Sequence, residues 1–334
     1  MALLGLGAAS AFALPPPIPS YTMGDLHVAA NGALLVSHTS GTFRSTDEGQ
    51  SWQKTSGIFG GRFFPVGQSG LYLVNQSSLN LSLDGGANWK KIADWLANTA
   101  RKIFDIRDSA GSARIYAVAR VAAADNSQAD QSQFQFSRDQ GKTWLPLPAP
   151  SSTERCCAIY AAAHGYYVTR TDNQIFKTKN LAGPWAEIPP PPAFDRASEW
   201  FLDADGWIYV NALVDVSSNS ESVADVRIYR TRDDGQHWER LWFGPRGKKT
   251  NFRLIGIDKK VLYFECNNHF CKSADGATQQ RLTDQFFPGT ELRFGPQGVF
   301  TLSTGRVTVH HLNEKTQNWD TLGTQGLPDP FSGK

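Results

Sequence analysis

Arginine recurs at comparable places along the 334-residue chain: Arg62, Arg101 with Lys102, Arg155, Arg196, the stretch Arg246, Lys248, Lys249 and Arg253, and Arg293. A guanidinium is a planar fork that grips carboxylate or phosphate through two parallel hydrogen bonds, so such a set gathered on one rim would suit an anionic ligand. The competing explanation is that Lys and Arg are common on polar loops. A second set is acidic: Glu199, Asp203 and Glu291, with Asp105 and Asp195. Glycosidic bond cleavage requires two carboxylates across one cleft. Spacing alone pairs none of these, so Glu199, Asp203 and Glu291 stand as catalytic candidates beside a simpler role in capping loops. No Gly-rich phosphate loop, H-E-x-x-H or G-x-S-x-G occurs, and no cofactor or metal site is expected. His310 and His311 are adjacent in a strand pattern and point to opposite faces. Cys266 and Cys271 flank four residues, a spacing that lets the two strands of a hairpin join through a disulfide. Cys156 and Cys157 are neighbours, read either as a strained ring or as two ordinary thiols.

The elements that would position these residues are announced by a repeated phrase. It reads STDEGQSW at 45–52, SLDGGANW at 82–89, SRDQGKTW at 137–144 and TRDDGQHW at 231–238. A hydroxyl residue stands two before Asp, Gly follows two after it, and Trp closes the phrase. Asp47, Asp84, Asp139 and Asp233 can accept hydrogen bonds from N–H groups of their own turn. The Gly takes the positive φ that the turn needs. Trp52, Trp89, Trp144 and Trp238 begin the next strand and can cover the turn. Weaker copies occur at 178–185, with Asn180 for Asp, at 273–280, with Asp275 but Gln280 for Trp, and near 312–319, where only Trp319 survives.

This phrase is the Asp-box, and the chain resembles the Asp-box β-propellers, which include bacterial sialidases, other glycoside hydrolases, sortilin-type receptors and photosystem II stability and assembly factors. The resemblance implies an all-β fold in which the box is a structural fastener away from the site. Seven units of four short strands imply a seven-bladed propeller of four-stranded antiparallel blades, with six or eight as alternatives. Either the segment near Ser20–Met23 or the tail after Trp319 is expected to close the ring. Sialidases use an arginine triad, a Tyr–Glu pair and an Asp. Arg155, Arg253 and Arg293 are candidates for the triad, but no Tyr–Glu pair is assignable. Arg62-Phe63-Phe64-Pro65 only loosely echoes the Arg-Ile-Pro signature. Seven blades also depart from the six of sialidases.

In this strand order the boxes share one face with the turns between first and second strands. The other face receives the arginine-bearing junctions and two insertions, 122–133 and 215–225. Both insertions are rich in Ser, Asn, Gln and Ala, a composition found in functional loops and in disordered excursions.

A net charge of +2 points to neither nucleic acid nor an anionic membrane. The stretch MALLGLGAASAFALPPPIP matches the apolar core and cleavage site of an export signal but lacks its positive start, and it is too short to span a membrane. Residues 1–19 are therefore expected to be a signal remnant and Pro-rich lead-in, and 20–334 one propeller domain, secreted or periplasmic and monomeric. The expected role is a binding or assembly module. Its arginine-lined face would take a glycan, another anionic ligand or a partner protein. A divergent sialidase-like hydrolase is the alternative.

Overall fold

A computed structural model of the chain describes residues 24–66, 70–75, 77–94, 101–108, 115–121, 131–148, 156–162, 165–170, 174–179, 183–192, 196–203, 205–218, 221–241, 252–267, 269–289, 291–303 and 308–328. The lead-in 1–19, Ser20–Met23, Asn180, Arg155, Asp195, the Arg246–Lys249 cations and most of the first insertion lie outside these residues.

The described strands form seven four-stranded sheets, each built from four consecutive strands. The first holds β1 (Leu26–Val28), β2 (Leu34–His38), β3 (Gly41–Ser45) and β4 (Gln53–Ser56). The second holds β5 (Arg62–Val66), β6 (Gly70–Val74), β7 (Ser78–Ser82) and β8 (Lys90–Asp94). The third holds β9 (Arg101–Asp108), β10 (Ile115–Val121), β11 (Gln131–Ser137) and β12 (Leu145–Leu147). The fourth holds β13 (Cys156–Ala162), β14 (Gly165–Arg170), β15 (Ile175–Thr178) and β16 (Ala186–Ile188). The fifth holds β17 (Arg196–Leu202), β18 (Ile208–Ser218), β19 (Glu221–Thr231) and β20 (Glu239–Arg240). The sixth holds β21 (Phe252–Asp258), β22 (Val261–Cys266), β23 (His269–Ser273) and β24 (Gln280–Thr283). The seventh holds β25 (Leu292–Gly295), β26 (Gly298–Ser303), β27 (Thr308–Asn313) and β28 (Asn318–Thr321). All neighbouring strands pair antiparallel, and each sheet contains one of the sequence units.

The core lies between sheets, not within one layer. β2 and β7 are buried along their whole length because they have packed neighbours on both faces. Leu35, Leu71 and Leu73 join the first and second sheets, Leu79 and Ile115 the second and third, and Tyr167 and Val210 the fourth and fifth. Leu254 and Tyr209 join the fifth and sixth, and Phe270 and Trp319 the sixth and seventh. The third and fourth meet through β9 and β13. Leu26 and Val36 pack on Phe300 and Val309, so the seventh sheet returns to the first. That closed radial stack is a β-propeller, and closure protects the sheet edges.

Both ring-closing sheets consist of consecutive strands, so no exchanged strand closes the ring. The tail after Trp319 seals the seam instead. Ser51 pairs in parallel with Gln325, Trp52 N–H donates to Gln325 O at 2.9 Å, and the Trp52 indole N–H donates to Gly323 O at 2.9 Å.

The repeated phrase folds alike in each intact copy. In the first, Ser45 Oγ accepts from Gly49 N–H at 2.8 Å and donates to Asp47 Oδ1 at 2.7 Å, while Asp47 accepts from Ser51 N–H at 3.0 Å. The seventh residue of the phrase also donates from its side chain to the Asp: Ser51, Asn88, Thr143 and His237 in turn. The hydroxyl and N–H of Ser51 and of Thr143 hold Asp47 and Asp139 down to about 2, as the N–H and ring of His237 hold Asp233. N–H groups of Thr278 and Ala277 depress Asp275 similarly. The Trp residues do not all act as buried covers. Trp52 is buried, whereas Trp89, Trp144 and Trp238 are half-buried. Trp89 and Trp144 donate within their own turn, and Trp52 and Trp238 reach the preceding blade.

Cys266 and Cys271 form a disulfide across the β22–β23 hairpin, with Cα atoms 6.0 Å apart. Cys157 falls at a register shift between β13 and β14. The second insertion differs from a loop. β18 and β19 pair continuously from Ile208↔Thr231 to Ser218↔Glu221, because alternating Val and polar residues continue the strand pattern through 214–218 and 221–226.

Candidate functional site

Chain direction places the start of every inner strand on the rim opposite the repeated turns. Arg62, Arg101 and Arg196 open β5, β9 and β17, and Arg253 and Arg293 are second in β21 and β25. Five of the six predicted arginines therefore share this rim, and Arg155 immediately precedes β13 outside the described residues. The side chains of Arg101 and Arg196 lie outside the description.

The three described guanidinium groups are held by carboxylates. Arg293 Nη2 contacts Asp25 Oδ1 at 2.8 Å and Glu291 Oε2 at 2.7 Å, and its Nε donates to Leu26 O at 2.7 Å. Burial opposes the charge on Arg293, yet Asp25 and Glu291 outweigh it and raise the pKa above its ordinary value. Glu291 Oε1 also contacts Arg62 Nη2 at 3.2 Å. Asp25 Oδ2 accepts Phe63 N–H at 2.7 Å, and Asp25 N–H donates to Ser37 Oγ at 2.8 Å. One network thus ties the seventh, first and second blades. A second joins the fifth and sixth: Glu199 accepts from Arg253 at 2.7 and 3.1 Å and from Asn211 Nδ2 at 2.9 Å. Asn211 in turn exchanges hydrogen bonds with Leu254 at 2.8 and 2.9 Å. Glu265 lies 3.7 Å from Arg253.

The catalytic candidates do not form one set. Glu199 and Glu291 belong to the separate networks just described. Asp203 follows β17 at the opposite end, where it accepts Asp205 N–H and Trp207 N–H, both at 2.9 Å, and the Tyr209 hydroxyl at 3.2 Å. It caps a turn on the face of the repeated phrase. Asp105 pairs with Val118 in the sheet register, and its side chain is not described. His310 and His311 have different partners, Thr321 and the Gln297 carbonyl. Sequence reasoning missed Asp25, which occupies in the first blade the place that Arg takes in others. Nothing local marks a residue whose partner lies 268 positions away.

A cavity of about 530 Å³ lies where the first, second and seventh blades meet, lined by His27, Asn31, Pro65, Asp84, Arg293 and Phe294 among others. Its floor includes the turn after β1 and the repeated phrase of the second blade, so it extends toward the face away from the rim. Burial lowers the His27 pKa to about 4, with Asp25 opposing and Arg293 assisting. Among the described residues no cluster of three metal-ligating side chains occurs, and no helix is long and apolar enough to cross a membrane.

No protein-family model matches the chain, and no curated protein matches its sequence. Solved structures do. A Mycobacterium tuberculosis puromycin-hydrolysing peptidase superposes with TM-score 0.64 at 10% identity, covering 93% of this chain and 55% of that one. The GH74 xyloglucanase of Xanthomonas campestris gives 0.60 at 12% identity, covering 92% and 55%. YCF48 from Cyanidioschyzon merolae gives 0.52 at 12% identity, covering 88% and 94%, and a structure of YCF48 bound to a D1 peptide gives 0.54 at 14%, covering 87% and 90%. The chain spans 47% and 55% of the lengths of two GH74 structures, about half. At these identities the likeness is one of fold: the chain is an all-β propeller of four-stranded antiparallel blades, an architecture shared by GH74 enzymes and by YCF48, which binds a D1 peptide.

Proposed function

We propose that this chain is an exported, non-catalytic binding or assembly module, a seven-bladed Asp-box propeller whose ligand face is the rim opposite the boxes. The observation that carries this reading is the commitment of its candidate carboxylates. Glu199 is held by Arg253 and Asn211, Glu291 by Arg62 and Arg293, and Asp203 by its own turn. A glycosidase needs one carboxyl free to give a proton and another free to attack or to activate water. The fold likeness to YCF48 with a bound D1 peptide, a propeller holding a polypeptide, supports the same reading. A protein segment is thus the favoured partner, with a glycan or other anionic ligand at the arginine rim as the next choice. Export rests on the composition of residues 1–19.

The second reading is a glycoside hydrolase, favoured by the GH74 likeness. Purified protein assayed against fluorogenic glycosides, a sialoside and xyloglucan oligosaccharides should show no turnover above buffer. Turnover abolished by Glu199→Gln or Glu291→Gln would replace the binding reading with the enzymatic one.

A further inference from the structure

The hairpin of β18 and β19 outgrows its blade. Its inner neighbour β17 stops at Arg196↔Leu213, and its outer neighbour β20 pairs only with Tyr229 and Arg230. The rungs from Val214↔Asp225 to Ser218↔Glu221 stand beyond both, with no described strand on either edge. At about 3.3 Å per residue they project roughly 15 Å. The corresponding turn in the sixth blade joins β22 to β23 directly and is closed by the Cys266–Cys271 disulfide, and β2 meets β3 in the first blade after two residues. The arm therefore rises beside the short, disulfide-closed turn of the sixth blade on the proposed ligand face.

A strand edge without a neighbour presents unpaired N–H and C=O groups and is a template for another strand. The arm's charge selects that strand. From Val214 to Val226 the sequence holds Asp215, Glu221 and Asp225 and no Lys, Arg or His. Like charge disfavours pairing with a second copy of the same edge, whereas a cationic strand is attracted. Beyond Leu213 the β18 edge, which has no partner among the described residues, continues the row that β17 occupies below.

We propose that this arm receives an extended, Lys- or Arg-rich segment of a partner protein by strand addition to β18. The proposal rests on the binding-module reading and specifies its partner. The test uses the full chain and fluorescent eight-residue peptides: alternating Lys and Val, the same peptide N-methylated at alternate residues, and a version with Glu for Lys. One variant replaces residues 214–225 by Asn-Gly, a two-residue turn suited to closing the Leu213↔Val226 pair. Another is the triple substitution Asp215→Lys, Glu221→Lys, Asp225→Lys, which retains the arm and reverses its charge. The basic peptide should bind the unaltered chain, and N-methylation, shortening and charge reversal should each weaken binding at least about tenfold. The reversed arm should instead prefer the acidic peptide. Three results would overturn the proposal: no binding at about 1 mM peptide, equal binding of the N-methylated peptide, or full binding to a shortened variant that melts like its parent. A dimer that dissolves on shortening would assign the edge to a second copy and equally overturn it. Glycoside turnover would defeat the module reading independently of these outcomes.

Discussion

His27 shows how a single side chain is governed by its surroundings. It lies beside Arg293 in the cavity between blades, and burial keeps its folded-state pKa near 4 against an ordinary 6.5. The unfolded chain takes up a proton below 6.5 that the folded protein refuses until about 4, so stability falls as pH drops through that window. The shift corresponds to about 3 kcal/mol at its full extent. Urea midpoints measured at steps from pH 7 to pH 4 should decline, and His27→Gln should flatten that decline. Asp47, Asp139 and Asp233 act in a separate window. Their folded pKa values, depressed to about 2, contribute stability that is present above the ordinary carboxylate value of 3.8 and lost as pH falls toward 2. The Asp positions were legible because the phrase repeats. His27 and Asp25 were not, since their environment is made by residues from β5 and β25.

Among elements, the repeated turn is more than a self-contained hairpin. Its Gly has a positive φ as the spacing predicts, and it also abuts the preceding blade. A Cβ on Gly49 would come within 2.6 Å of Leu322, and one on Gly141 within 2.6 Å of Leu79, while one on Gly86 would run into Leu35. The second blade separates the two requirements. Gly85 has φ +66° with open space around its Cβ position, whereas Gly86 has φ +83° and the Leu35 collision. Gly85→Ala should therefore destabilise by roughly 1 kcal/mol, from backbone strain alone. Gly86→Ala should cost clearly more, roughly 2–4 kcal/mol, as overpacking adds to strain. Denaturant unfolding of the two variants side by side checks the order. The strands were readable from short apolar runs between turn signals. The extended pairing of β18 with β19 was not, because its polar composition fits a loop as well as a solvated hairpin.

For the whole molecule, closure is the decisive event. Seven sheets pack in sequence order, and the last interface joins residues far apart in the chain, as between Leu26 and Phe300, 274 positions away. The tail supplies acceptors for both the backbone and the indole N–H of Trp52. Truncation after Leu322 should leave that buried indole without its acceptor and lower stability by about 1–3 kcal/mol, read as a fall in Tm. Trp52→Phe should then cost less in the truncated chain than in the full one, a non-additivity that identifies the shared contact.

By itself the sequence determined the unit: its strands, its Asp- and Gly-bearing turn, the hairpin disulfide and which rim the arginines begin on. These are short-range properties, set by alternation, turn chemistry and covalent spacing within some forty residues. Tertiary structure decided what those residues are free to do. Arg62, Arg253 and Arg293 stand at the starts of inner strands, but carboxylates of their own and neighbouring blades meet them there, and Glu199 and Glu291 serve as interblade ties. Closing the ring sets charges from distant segments side by side, and a partly buried charge takes the nearest opposite partner. No local pattern encodes which partner that will be.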